Sequence, residues 1–76
     1  MELDVFAQTI REQFVEDNID SITLTTDIRS LDTWDSLTGM AILAVIADDY
    51  NVDIPVEKFK ELSTIQELFD FVKLNQ

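Results

Sequence analysis

The chain contains no cysteine and no histidine, one glycine, one proline, and only five lysines and arginines among its 76 residues. Without cysteine there is no disulfide framework and no thiolate to act as nucleophile or ligand. Without histidine, the side chain that titrates nearest neutrality and most often binds metal is missing too. So little glycine and proline argues against a fold built on many tight turns. The few cations face sixteen aspartates and glutamates, for a formal charge of -11. A phosphate backbone or an anionic membrane surface would repel such a chain, so nucleic acid is not expected as a partner and basic protein surfaces are. The longest uninterrupted apolar run, Met40 to Ala47, falls far short of the ~20 residues that span a bilayer. The start Met1-Glu2-Leu3-Asp4 lacks the basic residues that open a signal peptide. The expectation is a soluble, cytoplasmic monomer with no membrane span.

What is present is apolar and periodic. Hydrophobic residues make up 46% of the chain, and a length of this order supports one small core, hence one domain over residues 1–76. Leu3, Phe6, Ile10 and Phe14 recur at helical spacing opposite Glu2, Gln8, Glu12 and Glu16, which predicts helix I from Glu2 to Asp17. Asn18 to Asp35 breaks the period with side chains that compete for backbone hydrogen bonds. Ile22, Leu24, Ile28 and Leu31 nevertheless run through it, so the connection is expected to be ordered, with a short helical turn near Asp27 to Leu31. Asp35 to Tyr50 predicts helix II, capped by Asp35 or Ser36. One stripe of that helix is Ile42, Leu43, Ile46 and Tyr50; a second is Leu37, Met40, Ala44 and Ala47, with Ala41 beside it. A surface helix needs one such stripe, so the second awaits a partner or ligand. Gly39, in the first turn, calls for a close neighbour such as another backbone. Pro55 opens a short helix III through Val56, Phe59 and Leu62, and Ser63 or Thr64 with Gln66 or Glu67 caps helix IV, whose buried face is Ile65, Leu68, Phe69 and Val72. Asn75 and Gln76 are expected to fray. The fold class is all-α: a four-helix bundle with a long loop between helices I and II and a short helix III.

Three kinds of chemistry can be weighed against these residues. Ser36 as an autonomous nucleophile lacks a base, because there is no histidine, none of the three lysines is near it in sequence, and ordinary carboxylates are poor bases for a hydroxyl. Asp49, Asn51 and Asp53 match the first ligands of an EF-hand loop, but Ile54 stands where glycine is required and Lys60 where the bidentate glutamate belongs. No metal site is therefore expected. An unmodified acidic interaction module would account for the charge and the second stripe, but it leaves Ser36 unexplained.

Order and spacing of several motifs together resemble an acyl carrier protein. They are the amphipathic first helix, the loop with Leu24 and Ile28, Leu31-Asp32-Thr33-Trp34-Asp35-Ser36-Leu37, the apolar helix ending in Asp48-Asp49-Tyr50, Val52-Asp53-Ile54-Pro55, and Leu62-Ser63-Thr64-Ile65. The resemblance implies a non-catalytic carrier. Its Ser36 would receive 4'-phosphopantetheine from coenzyme A through a phosphopantetheinyl transferase, which itself supplies the base and Mg2+. Acyl groups would then ride as thioesters between loading and accepting enzymes with basic and apolar docking surfaces. The same resemblance assigns Trp34, Asp35, Leu37, Met40, Ala44 and Asp48 to partner recognition, and Ile42, Leu43 and Ile46 to an interior that shelters an acyl chain. Fatty-acid carriers typically continue Asp-Ser-Leu with acidic residues, whereas this chain has Thr38 and Ala41. With Trp34, that points to a specialised biosynthetic pathway rather than housekeeping fatty-acid synthesis. An aminoacyl or peptidyl carrier is the alternative within the same fold.

Overall fold

The computed structural model describes residues 2–14 and 21–76. Among these residues the protein is all-α, with α1 (Leu3–Arg11), α2 (Ser36–Tyr50), α3 (Val56–Phe59), α4 (Ile65–Asn75) and a 3-10 turn over Ile28–Ser30. The α-helix of the first segment is shorter than its apolar spacing suggested. After Arg11 the backbone tightens, Gln13 and Phe14 donating to the carbonyls three residues back, Ile10 and Arg11, at 3.1 and 3.0 Å. The tightened turn still delivers Phe14 to the core. The remainder of the expected helix, up to Asp17, and the first residues of the connection lie outside the described residues.

The core is wholly apolar: no polar or charged side chain is buried among the described residues. Phe6, Ile10 and Phe14 meet Ile42 and Ile46 of α2 and Ile65, Leu68 and Val72 of α4, and α1 packs directly on α4. Phe6 is the hub on the α1 side, with its ring 5.2 Å from Tyr50 at the end of α2 and 5.6 Å from Phe69 of α4. Each helix end has its own cause. Asn51 leaves α2 in the left-handed conformation at φ 59° while its N–H bonds the Ala47 carbonyl, a geometry asparagine tolerates better than most residues. Pro55 precedes α3 as its cap residue, one position earlier than expected, with extended ψ of 142°. Thr64 and Glu67 form a reciprocal capping box at α4. Asn75, expected to fray, stays helical and donates its side-chain amide to the Phe71 carbonyl at 2.8 Å.

The long connection is fastened to the far side of the bundle. Ile28 N donates to Ser63 O at 2.9 Å, Gln66 N donates to Leu24 O at 3.0 Å, and Arg11 Nε donates to Ile22 O at 2.7 Å. Ile22 and Ile28 are fully buried, and Leu24 and Leu31 pack on the core from outside. Asp27 caps the 3-10 turn, accepting from Arg29 N at 3.0 Å and from Ser30 Oγ at 2.9 Å. Together these contacts set the height at which the chain re-enters α2, and so where Ser36 stands.

Candidate functional site

Ser36 is the first residue of α2 and is exposed. Among the described residues its hydroxyl has no hydrogen-bond partner. Asp35, beside it, is the cap: its Oδ1 accepts from Thr38 N at 2.8 Å and from Thr38 Oγ1 at 3.0 Å. The ambiguity between Asp35 and Ser36 is thereby resolved, and the serine is released from any structural duty. The Thr38 backbone N–H, the Thr38 hydroxyl and the Leu37 backbone N–H together hold the Asp35 carboxyl below its ordinary pKa, against a small opposing effect of burial. Part of the helix-end N–H capacity is thus already committed to Asp35, and any anion on Ser36 shares the positive end of α2 with a carboxylate.

Beyond Ser36, α2 shows solvent an apolar stripe. Leu37 is 75% exposed and Met40 66%, and Ala44 and Asp48 continue the exposed line. Ala41 and Ala47 are partly covered. On the opposite side Ile42 and Ile46 are fully buried and Leu43 half-buried, inside the packed core. A cleft of about 290 Å³ opens between the last turn of the first segment, at Gln13 and Phe14, and the start of α2, at Asp35, Leu37, Thr38 and Ala41, with Thr33 at its edge. Ile42, Leu43 and Ile46 do not line it.

Trp34 differs from the other expected recognition residues because it packs inward. Its indole lies 6.3 Å from the Phe14 ring and 6.2 Å from the Phe59 ring, and two of its carbons approach within 3.3 Å of where a Cβ on Gly39 would stand. The glycine therefore makes room for aromatic side chains, not for another backbone. Arg29, to which the sequence pattern assigned nothing, completes the cluster. Its guanidinium sits 5.1 Å from the Trp34 centroid and 4.7 Å from that of Phe59, and it donates to the carbonyls of Phe59 and Leu62. A cation among so many acids reads as surface, and only the fold reveals the aromatic faces it covers. Asp49, Asn51 and Asp53 are exposed, and among the described residues no cluster of three or more acidic side chains is arranged to hold a metal ion. No helix among the described residues is long and apolar enough to cross a membrane.

Residues 5–72 match the family model described as the phosphopantetheine attachment site. Neither curated proteins nor solved structures provide a match to the chain.

Proposed function

Since the chain belongs to the phosphopantetheine attachment-site family, it is a non-catalytic carrier of covalently attached 4'-phosphopantetheine, and we propose that Ser36 is the residue that bears it. The carrying observation is the contrast within one turn of α2. Asp35 is fixed by two bonds to Thr38, while the neighbouring serine hydroxyl is exposed and unpartnered. That hydroxyl fits the group, since nothing in the fold competes for it and the amino end of a helix favours the phosphate charge. When bound, the group supplies the thiol that the sequence lacks and on which an acyl cargo is held as a thioester.

Carriers of this family interact with phosphopantetheinyl transferases and acyl-handling enzymes. The exposed stripe of Leu37, Met40, Ala44 and Asp48 is the surface we assign to those encounters, with Asp35 at its edge. Trp34 contributes by holding the loop before Ser36 against Phe14 and Phe59, more as a support than as a contact. The largely apolar stripe supports a specialised pathway over housekeeping fatty-acid synthesis. Thr38 and Ala41 stand where acids would otherwise greet a basic partner, and Asp48 is the one carboxylate on the line. The interior at Ile42, Leu43 and Ile46 stays assigned to acyl shelter as part of this reading; admitting a chain there requires the core to part.

Incubation with coenzyme A, Mg2+ and a broad-specificity transferase should add one phosphopantetheine by intact mass, and Ser36→Ala should abolish the gain. Failure of the wild-type chain to gain mass with several transferases, or a persistent gain in Ser36→Ala, overturns the assignment. In the holo form, Met40→Glu should weaken turnover by the cognate partner while leaving the helical circular-dichroism signal intact. Unchanged turnover would remove Met40 from the docking stripe.

A further inference from the structure

We propose that the cleft between the end of the first helical segment and the first turns of α2 is a binding site for the pantetheine part of the arm on Ser36. The inference rests on the assignment of Ser36 made above. Asp35 and Leu37, the residues on either side of Ser36, both line the cleft, so an arm leaving the serine begins at its rim. The volume of about 290 Å³ stands at the lower end of the roughly 300–1,000 Å³ typical of ligand pockets. That suits a short segment of the arm and leaves no room for a long acyl tail.

The lining matches the ligand's chemistry. Pantetheine alternates amide groups with short apolar pieces, one of them a branched dimethyl carbon, and the cleft alternates in kind. Phe14, Leu37 and Ala41 are apolar; Gln13, Asp35 and Thr38 are polar. The Thr38 hydroxyl proton is committed to Asp35 at 3.0 Å, which leaves its oxygen as an acceptor for an amide N–H. Gln13 gives one amide proton to the Thr9 carbonyl at 3.0 Å, and that bond fixes its head group at the mouth. On the core side of α2, Ile42 and Ile46 are at 0% exposure among the described residues. An arm entering there must separate packed side chains, whereas the cleft is open among the described residues.

The test uses the holo protein, labelled with 15N and with 13C at its methyl groups, after intact mass has verified one arm per chain. The expected result is nuclear Overhauser effects from the dimethyl group of the arm to the methyls of Leu37 and Ala41, with amide shifts between apo and holo forms at Gln13, Thr33 and Thr38. Ala41→Leu, which fills the cleft with a good helix former, should abolish the arm contact to Leu37 and the shifts at Gln13 and Thr33. Gln13→Ala, a substitution away from α2, should reduce the same shifts and serves if Ala41→Leu disturbs the fold. Shifts confined to the residues next to Ser36, or arm contacts to Ile42, Leu43 and Ile46 instead, overturn the cleft as a site while leaving Ser36 as the attachment point. Absence of the mass gain overturns the attachment and the cleft together.

Discussion

Asp35 acts as the helix cap beside the serine proposed to bear the arm, and its bonds to Thr38 occupy it fully in that role. A carboxyl that accepts from a backbone N–H and a hydroxyl is favoured in its ionised form, and the direction of its pKa, lowered from 3.8, reflects that. With the folded value below the unfolded one, the cap's contribution to stability is complete above the unfolded value and is lost as pH falls through the lower, folded value. A side-chain 13C titration should therefore place the Asp35 midpoint below that of an unstructured aspartate, and Thr38→Val, which keeps the backbone donor and removes the hydroxyl, should raise it part of the way. A midpoint at the ordinary value in the wild type would remove the capping bonds as its cause. Gly39 poses a second question at this scale. Alanine would gain about 1 kcal/mol of helix propensity, yet its Cβ would stand 3.3 Å from two Trp34 carbons and 3.4 Å from Phe59 Cε2. Those rings are held by Phe14 and Arg29 and have little freedom to withdraw. Urea denaturation should show no net gain for Gly39→Ala and a loss of about 1–3 kcal/mol for Gly39→Val, the range for overpacked sites; a clear gain for the alanine variant would mean that the Trp34 ring yields.

Among the elements, the long connection carries the consequence least visible in the sequence. It was legible as ordered because Ile22, Leu24, Ile28 and Leu31 could not all be left in water, and its 3-10 turn follows from Asp27. The amphipathic faces of α1 and α4 and the capping box were legible for the same reason: each is a local pattern with a local cause. What joins the connection to α3 and α4 is a set of long-range bonds without periodicity, Ile28 N to Ser63 O and the Arg29 clamp on the Phe59 and Leu62 carbonyls. Spacing rules have no means of pairing residues some thirty positions apart. The site divided along the same line. Ser36 and the stripe after it stood out from order and pattern, while the inward turn of Trp34 and the cleft beside Gln13 depend on tertiary packing. Arg29→Met keeps the unbranched aliphatic bulk and removes the charged donors, at an expected cost of about 1.5–3 kcal/mol by analogy with other hydrogen bonds to charged groups. Arg29→Lys should rescue little, because an ammonium lacks the planar fork that stacks on rings and reaches two carbonyls. Thermal unfolding of both variants checks this, and full rescue by lysine would show that charge alone matters. At α4, Thr64→Ala should lower stability by about 1 kcal/mol through loss of its half of the capping box.

At the scale of the whole molecule, charge is distributed with little internal relief. Of the five cations, Arg29 is spent on carbonyls and rings. Lys58 reaches Glu61 at 3.9 Å in an exposed pair of the kind that contributes little. The described residues extend 30 × 25 × 19 Å. At ~0.01 M ionic strength the Debye length is about 30 Å, so a carboxylate feels charges across the entire fold; at ~0.15 M it is about 8 Å, and only near neighbours remain. Since the chain carries -11, unfolding relieves repulsion at low salt by moving those charges apart. The melting temperature should therefore climb over that interval and then level off. If screening alone is at work, Mg2+ compared with Na+ at equal ionic strength should produce the same climb. A flat melting temperature would show that self-repulsion is not what limits stability. A gain specific to Mg2+ would instead require acids that converge on a bound ion, and the carboxylates whose resonances move with Mg2+ alone would identify them.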